Sequence, residues 1–312
     1  MKKYSGIFPA MQLPFNNDYS VDDEELKRFS NWLAGHEGVN GIVTNGHTGE
    51  IFALTPKERA EVTGKVVNAV NGKVPIFSGL AAEGFKEAIE HAKMIKDIGA
   101  TGLLVMPPHH WLRFGMTHGD VMHYFTELGK NTELDLIVHI YPAWTKATYS
   151  SKLLADLADI EWVKIMKIGT REMSKYDRDL RAIKDRNDDV SILTCHDEYL
   201  LTSMVQGVDG ALVGFASFIP DLITALYDAV QKGDLKTAQE IQRRINPLKE
   251  VVYASGEPSG DAHSRMKAAM VHAGRFKSDV VRPPTQKPSG LVLENIKKAV
   301  DEAKLDKVEK AA

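Results

Sequence analysis

Eight short apolar runs, each followed by a helix-forming stretch, recur every 25–35 residues or so through residue 232. The runs are Gly6–Phe15, Val39–Thr44, Val74–Gly79, Thr101–Met106, Leu134–Tyr141, Val163–Lys167, Val190–Thr194 and Gly210–Phe215. They are apolar on both faces, as strands of a fully covered parallel sheet must be. Strict alternation with helices requires parallel strands joined by crossovers. Eight such units fit a closed (β/α)8 TIM barrel better than an open, doubly wound sheet. No Gly-x-Gly-x-x-Gly follows the first run, which counts against a dinucleotide fold, and no cofactor is called for. Residues 1–232 are therefore read as the barrel. Residues 233–312 hold three more helices, near 235–253, 261–271 and 291–305, which are expected to pack on it. The last residues, 306–312, are expected to fray.

Composition narrows the function. The 312 residues are 43% hydrophobic and 26% charged, with a formal net charge of -3. That balance, with its basic residues scattered, gives no footprint for nucleic acid. The N-terminal lysines are followed by no long apolar run, so neither a signal peptide nor a membrane span is expected. A single cysteine, Cys195, precludes an internal disulfide and fits a reducing cytoplasm.

The sixth run, Trp162 to Thr170, carries a lysine near its end. A lysine in an apolar strand must pair, lose its proton or point into a wet site. Lys164 competes with Lys167, but residues three apart face opposite sides of a strand. Val163, Ile165 and Lys167 are expected on one face, and Lys164 with Met166 on the other. Active sites of such barrels lie at the C-terminal strand ends, where Lys167 is the better placed. One reading is a Schiff-base lysine whose free amine attacks a ketone; the other is a lysine that snorkels to water or pairs with a carboxylate. The same ends carry His47, His109, His110, His139, His196 and Tyr141. His139 and Tyr141, two apart, share a face, and either could relay protons. The turn Gly46-His47-Thr48-Gly49-Glu50 could offer backbone N–H groups to a carboxylate, with Glu50 bracing it. A metal site from His47, His139 and His196 with Asp197 or Glu198 is the competing chemistry.

Together these residues resemble the dihydrodipicolinate synthase and N-acetylneuraminate lyase family of lysine-dependent aldolases. The likeness rests on Gly46 to Glu50, Ile165 to Thr170, Gly210 to Gly214, His263 to Ala269 and Val281 to Pro284. The resemblance implies that Lys167 forms the Schiff base, that Gly46, His47, Thr48 and Gly49 hold a 2-oxo-acid carboxylate, and that the strand around Leu212 faces the substrate. It also implies a homo-oligomer, a dimer or tetramer. The departures concern the second half of the substrate. His139-Ile140-Tyr141-Pro142 stands where the family has Tyr-Asn-x-Pro, so His139 takes the relay tyrosine's place, with Tyr141 two further on. Trp144 occupies the position of an arginine that grips a second carboxylate, and Pro107 to Trp111 replaces a loop bearing a tyrosine. Trp111 and Trp144 suggest a less charged, aromatic or apolar second moiety. The leading reading is a lyase acting on pyruvate or a related 2-oxo acid by aldol cleavage, condensation or dehydration. A metal-dependent barrel aldolase or hydrolase and a non-catalytic 2-oxo-acid-binding protein are the alternatives.

Overall fold

The structure is a computed structural model that describes residues 4–142, 145–253 and 260–305. Its strands are β1 (Gly6–Pro9), β2 (Ile42–Thr44), β3 (Ile76–Leu80), β4 (Gly102–Val105), β5 (Asp135–Ile140), β6 (Val163–Ile168), β7 (Ser191–Thr194) and β8 (Gly210–Val213). All pair in parallel, in the order β1-β8-β7-β6-β5-β4-β3-β2. Between β1 and β2 the ring closes through the bridges Ile7 to Val39 and Ala10 to Val43. The barrel read from the sequence is thus present.

The helices are α1 (Asp23–Ala34), α2 (Pro56–Val70), α3 (Phe85–Asp97), α4 (His109–Phe114), α5 (His118–Thr132), α6 (Ser151–Leu157), α7 (Met173–Arg186), α8 (Leu200–Met204), α9 (Phe215–Phe218), α10 (Pro220–Gln231), α11 (Leu235–Tyr253), α12 (Ala262–His272) and α13 (Gly290–Glu302). Their starts follow local chemistry. Thr55 and Glu58 form a capping box ahead of Pro56, and Asp22, Thr117 and Ser150 each accept from a first-turn amide. Two stretches depart from the sequence reading. Pro107–Trp111, read as a loop, runs into α4, whose first amides donate to Glu83. The helix read from Glu198 to Gln206 is a 3-10 turn, Asp197–Tyr199, followed by the short α8.

Each strand sends one apolar side chain into the barrel: Phe8, Val43, Phe77, Leu104, Ile137, Ile165, Leu193 and Leu212. Tyr4 plugs the lower end, packed edge-on to Phe8 and Phe77, with its hydroxyl donating to Asp135. The larger apolar layer lies between sheet and helices. Strict alternation fails at one point. The β5–β6 pairing shifts register between Leu136 and Ile137, stepping from Val163 to Ile165. This bulge puts Val163 in the outer layer, against the sequence expectation, while Ile165 packs in the inner one.

Among the C-terminal helices, α11 packs on α10, and α12 and α13 pack on α11. A buried ion pair ties α12 to the barrel: Lys267 Nζ lies 2.5 Å from Glu50 Oε1 and also donates to the Val280 carbonyl. The other carboxylate oxygen of Glu50 accepts from the Arg282 amide. Removing one partner of such a pair strands a buried charge. Lys267→Ala is therefore expected to cost about 3–5 kcal/mol. Urea unfolding of the variant against wild type checks this, and Glu50→Gln/Lys267→Met should lose less than the sum of its two single changes.

Candidate active site

The inward residues of β5 and β6 set the floor. Two residues beyond Ile137 and Ile165 on the same faces stand His139 and Lys167, paired side by side in the register. Two beyond Leu193 stands Cys195. These side chains, with Leu212, border a cavity of about 480 Å³ at the C-terminal mouth of the barrel. Below them the apolar plug is sealed. The Lys167 ammonium is held below its usual range chiefly by burial, partly offset by Cys195 and Asp197. Among the described residues it makes no hydrogen bond or ion pair. Gly169, just beyond, allows close approach: a Cβ there would lie 2.5 Å from the Ile140 carbonyl oxygen. Buried Asp179 anchors the same turn, accepting from Thr170, Ser151 and Lys175.

The turn after β2 is pinned at both ends by non-glycine residues in the left-handed region, Asn45 (φ 52°) and Glu50 (φ 56°). The Asn45 amide donates to the Arg59 carbonyl, Thr63 and Ser78, each at 2.9 Å. Glu50 is held by Lys267 and Arg282. Inside the turn, the amides of Gly49, Glu50 and Ile51 donate back to Gly46 or His47. The amides of His47 and Thr48 have no acceptor among the described residues. Their side chains border the cavity, whereas Gly46 and Gly49 shape the turn. A Cβ on Gly49 would lie 2.9 Å from the Met11 carbonyl oxygen.

Three polar rings border the same cavity as the amine. The Tyr141 hydroxyl bonds His47 Nε2 at 2.9 Å, and the His139 ring lies 4.5 Å from Tyr141 and 5.8 Å from His47. Burial, with help from the nearby Lys167 charge, pushes His47 down to about 4 and His139 well below its usual value. Burial pushes the Tyr141 hydroxyl up. At neutral pH the site therefore holds two neutral imidazoles and a protonated phenol.

The remaining walls are polar on one side and helical on the other. Arg171 pairs with Glu198 at 2.9 Å and donates to the Gly169 carbonyl. Asp197 accepts from the amides of Gly214 and Phe215 and from Tyr253 at 2.6 Å. Burial raises Asp197 to about 6. Tyr253 of α11 and Ala262, His263 and Met266 of α12 complete the enclosure.

Comparison with known proteins agrees with this geometry. The model of the Dihydrodipicolinate synthetase family matches residues 3–303. The chain belongs to that family. A 4-hydroxy-tetrahydrodipicolinate synthase of Methanopyrus kandleri is 30% identical over 89% of each chain. A probable 2-dehydro-3-deoxy-D-pentonate aldolase of Escherichia coli K12 is 26% identical over 83% of this chain and 84% of its own. Among solved structures, a prophage protein of the dihydrodipicolinic acid synthase family from E. coli K12, in complex with pyruvate, superposes with a TM-score of 0.88. It is 22% identical, over 97% of this chain and all of its own. Homologues in this family are lyases of the aldolase type, and this chain has their fold.

Within the family frame, the structure sorts the residues singled out from sequence. Lys167, His139, Tyr141, His47, Thr48 and Leu212 meet at one cavity. His109 and His110 lie outside it; His110 pairs with Glu83 at the surface. His196 is fully buried against Tyr176, 5.4 Å between rings, and does not border the cavity. Among the described residues no three His, Cys, Asp or Glu side chains are grouped to hold a metal ion. Trp111 packs on Tyr124 in the core instead of lining the cavity, and Trp144 lies outside the described residues. Among the described residues, Arg171, Asp197, Glu198 and Tyr253 make up a polar part of the cavity wall. Arg171, one residue past the sixth run, and Tyr253 were not singled out from sequence, and His263 entered there only as the first residue of a segment of likeness; no local pattern shows which C-terminal segment roofs a barrel.

The buried histidines make stability pH-dependent. Burial holds His91 and His196 down at about 4 in the folded chain, against about 6.5 when unfolded. Between those values the unfolded chain binds more protons, so stability falls as pH falls. Each should cost about 2 kcal/mol between pH 7 and pH 5. The urea midpoint is expected to drop over that interval, and His91→Leu to drop less than wild type.

Proposed function

We propose that this family member is a lyase acting on pyruvate or a related 2-oxo acid through a Schiff base at Lys167. The observation that carries the reading is an amine on the cavity floor, desolvated and without a carboxylate partner. The nearby Asp197 is engaged by two amides and a phenol, which speaks against a structural ion pair. In the proposed reaction the substrate carboxylate rests on the amides of His47 and Thr48 and the Thr48 hydroxyl. Lys167 Nζ attacks the keto carbon, the carbinolamine loses water, and the iminium accepts the electron pair released when a neighbouring bond breaks. Collapse of the enamine returns the proton to carbon, and hydrolysis frees the amine. His139, beside Lys167 across the β5–β6 pair, suits proton transfer at the carbinolamine. Tyr141, hydrogen-bonded to His47, suits relaying the proton off the hydroxyl that becomes the departing aldehyde, or onto the oxygen of an arriving one.

The polar wall from β6 and β7 favours a hydroxylated second moiety, as in a sugar-acid-like 2-oxo acid. The similarity to a probable pentonate aldolase points the same way. The proposed setting is the cytoplasm; no described helix is long and apolar enough to cross a membrane. A homo-oligomer belongs to the same proposal.

Incubation with pyruvate and borohydride should add one reduced pyruvyl group, and peptide mass mapping should place it on Lys167. Absence of the adduct, or its persistence in Lys167→Ala, would refute the mechanism. Tyr141→Phe should still form the adduct while turnover of a competent substrate falls about 10²–10⁴-fold.

A further inference from the structure

His263 borders the cavity from the first turn of α12, and the mechanism above gives it no task. Its side chain is 6% exposed, and its Nε2 is buried without a hydrogen-bond partner among the described residues. A buried polar atom in that condition beside a cavity points to a ligand group. Several contacts place the ring beside the β2 turn. The ring meets Phe52 edge-on at 5.2 Å, just past the β2 turn. Its charged neighbours are Glu50 at the end of that turn, Lys267 paired with Glu50, and Asp261 paired with Arg265, and it acts in turn on His47 within the turn. Met266, one helical turn on and on the same face of α12, reaches the β2 turn as well. A Cβ placed on Gly214 would meet Met266 Cε at 3.0 Å and Thr48 Oγ1 at 3.1 Å.

The chemistry at this corner suits an anion. Asp261 does not cap α12 with its side chain, and its carboxylate pairs with Arg265. The first-turn amides therefore add the positive end of the helix dipole. His47 Nε2 is engaged by Tyr141, which leaves Thr48 as the hydroxyl donor of the turn. Burial keeps the His263 imidazole neutral, and a neutral imidazole carrying its proton on Nε2 is a donor.

We propose that His263 binds the carboxylate of the 2-oxo acid, donating Nε2–H from α12 while the β2 turn donates from the barrel. This rests on the Schiff-base reading and deepens it: the carboxylate site spans barrel and C-terminal helices.

Borohydride trapping of wild type, His263→Leu and His263→Gln tests it, with pyruvate and with pyruvamide, in which a neutral amide replaces the carboxylate. The pyruvate concentration for half-maximal adduct should rise about ten- to hundredfold in His263→Leu, the range of a hydrogen bond to a charged group. The adduct at saturation should remain on Lys167. Gln, whose amide can reach the place of Nε2, should recover most of the loss. Pyruvamide should trap equally well in wild type and His263→Leu. An unchanged half-saturation, or an equal penalty with pyruvamide, would overturn the assignment. If His263→Leu does not fold, His263→Asn, too short to reach the same point, takes its place with the same expectations. A wild type that forms no adduct would instead refute the Schiff-base reading itself, which separates the two failures.

Discussion

Removing one ammonium group from water organises the top of this barrel. Lys167 stands directly above an apolar plug to which every strand contributes a side chain, and it leaves that plug on the cavity side. Burial disfavours its charged form, and so makes the amine more available as a nucleophile than a surface lysine. The arrangement persists because the surroundings do not neutralise it. The carboxylates close enough to act on it or its neighbours are already committed, Asp197 to two amides and a phenol, Glu198 to Arg171. The imidazoles bordering the same cavity are kept neutral by the same desolvation.

Much of the remaining structure serves to hold that amine in register. The bulge in β6 absorbs one residue below Ile165, so that Ile165 and Lys167 point inward together. Gly169 lets β6 pass close under the Ile140 carbonyl, and Asp179 locks the turn that follows. Across the mouth, the Glu50–Lys267 pair joins the turn after β2 to α12. Such a buried pair adds little net stability over a well-packed apolar contact, but breaking it is costly. It therefore fixes where α12 sits, and with it where His263 and Met266 meet the cavity.

The fold was legible because barrels of this kind advertise themselves through local patterns. Thr55-Pro56 with Glu58 announces a helix start, and Val190 to Thr194 can be little other than a buried strand. Lys167 was legible for a related reason, since a charge in an apolar run is conspicuous and period-two alternation gives it a side. The same rule misplaced Val163, because a bulge has no signature in a run of alternating apolar residues. His196 was read as a strand-end group like His139, yet the 3-10 turn beginning at Asp197 directs its ring towards Tyr176. Trp111 does not reach the cavity, because the turn of helix from His109 to Phe114 carries the indole into the core against Tyr124.

By itself the sequence determined the eightfold alternation, the inward parity at the end of the sixth strand and the turn of Gly46 to Glu50. All three depend on neighbours a few residues apart, where backbone sterics and side-chain period leave few choices. Only the tertiary structure decided what stands around the amine. Arg171 and Glu198 are 27 residues apart, Tyr141 and His47 are 94 apart, and Glu50 and Lys267 are 217 apart. Contacts over such separations arise from barrel closure and from the packing of the last helices across its mouth, and no local periodicity encodes them.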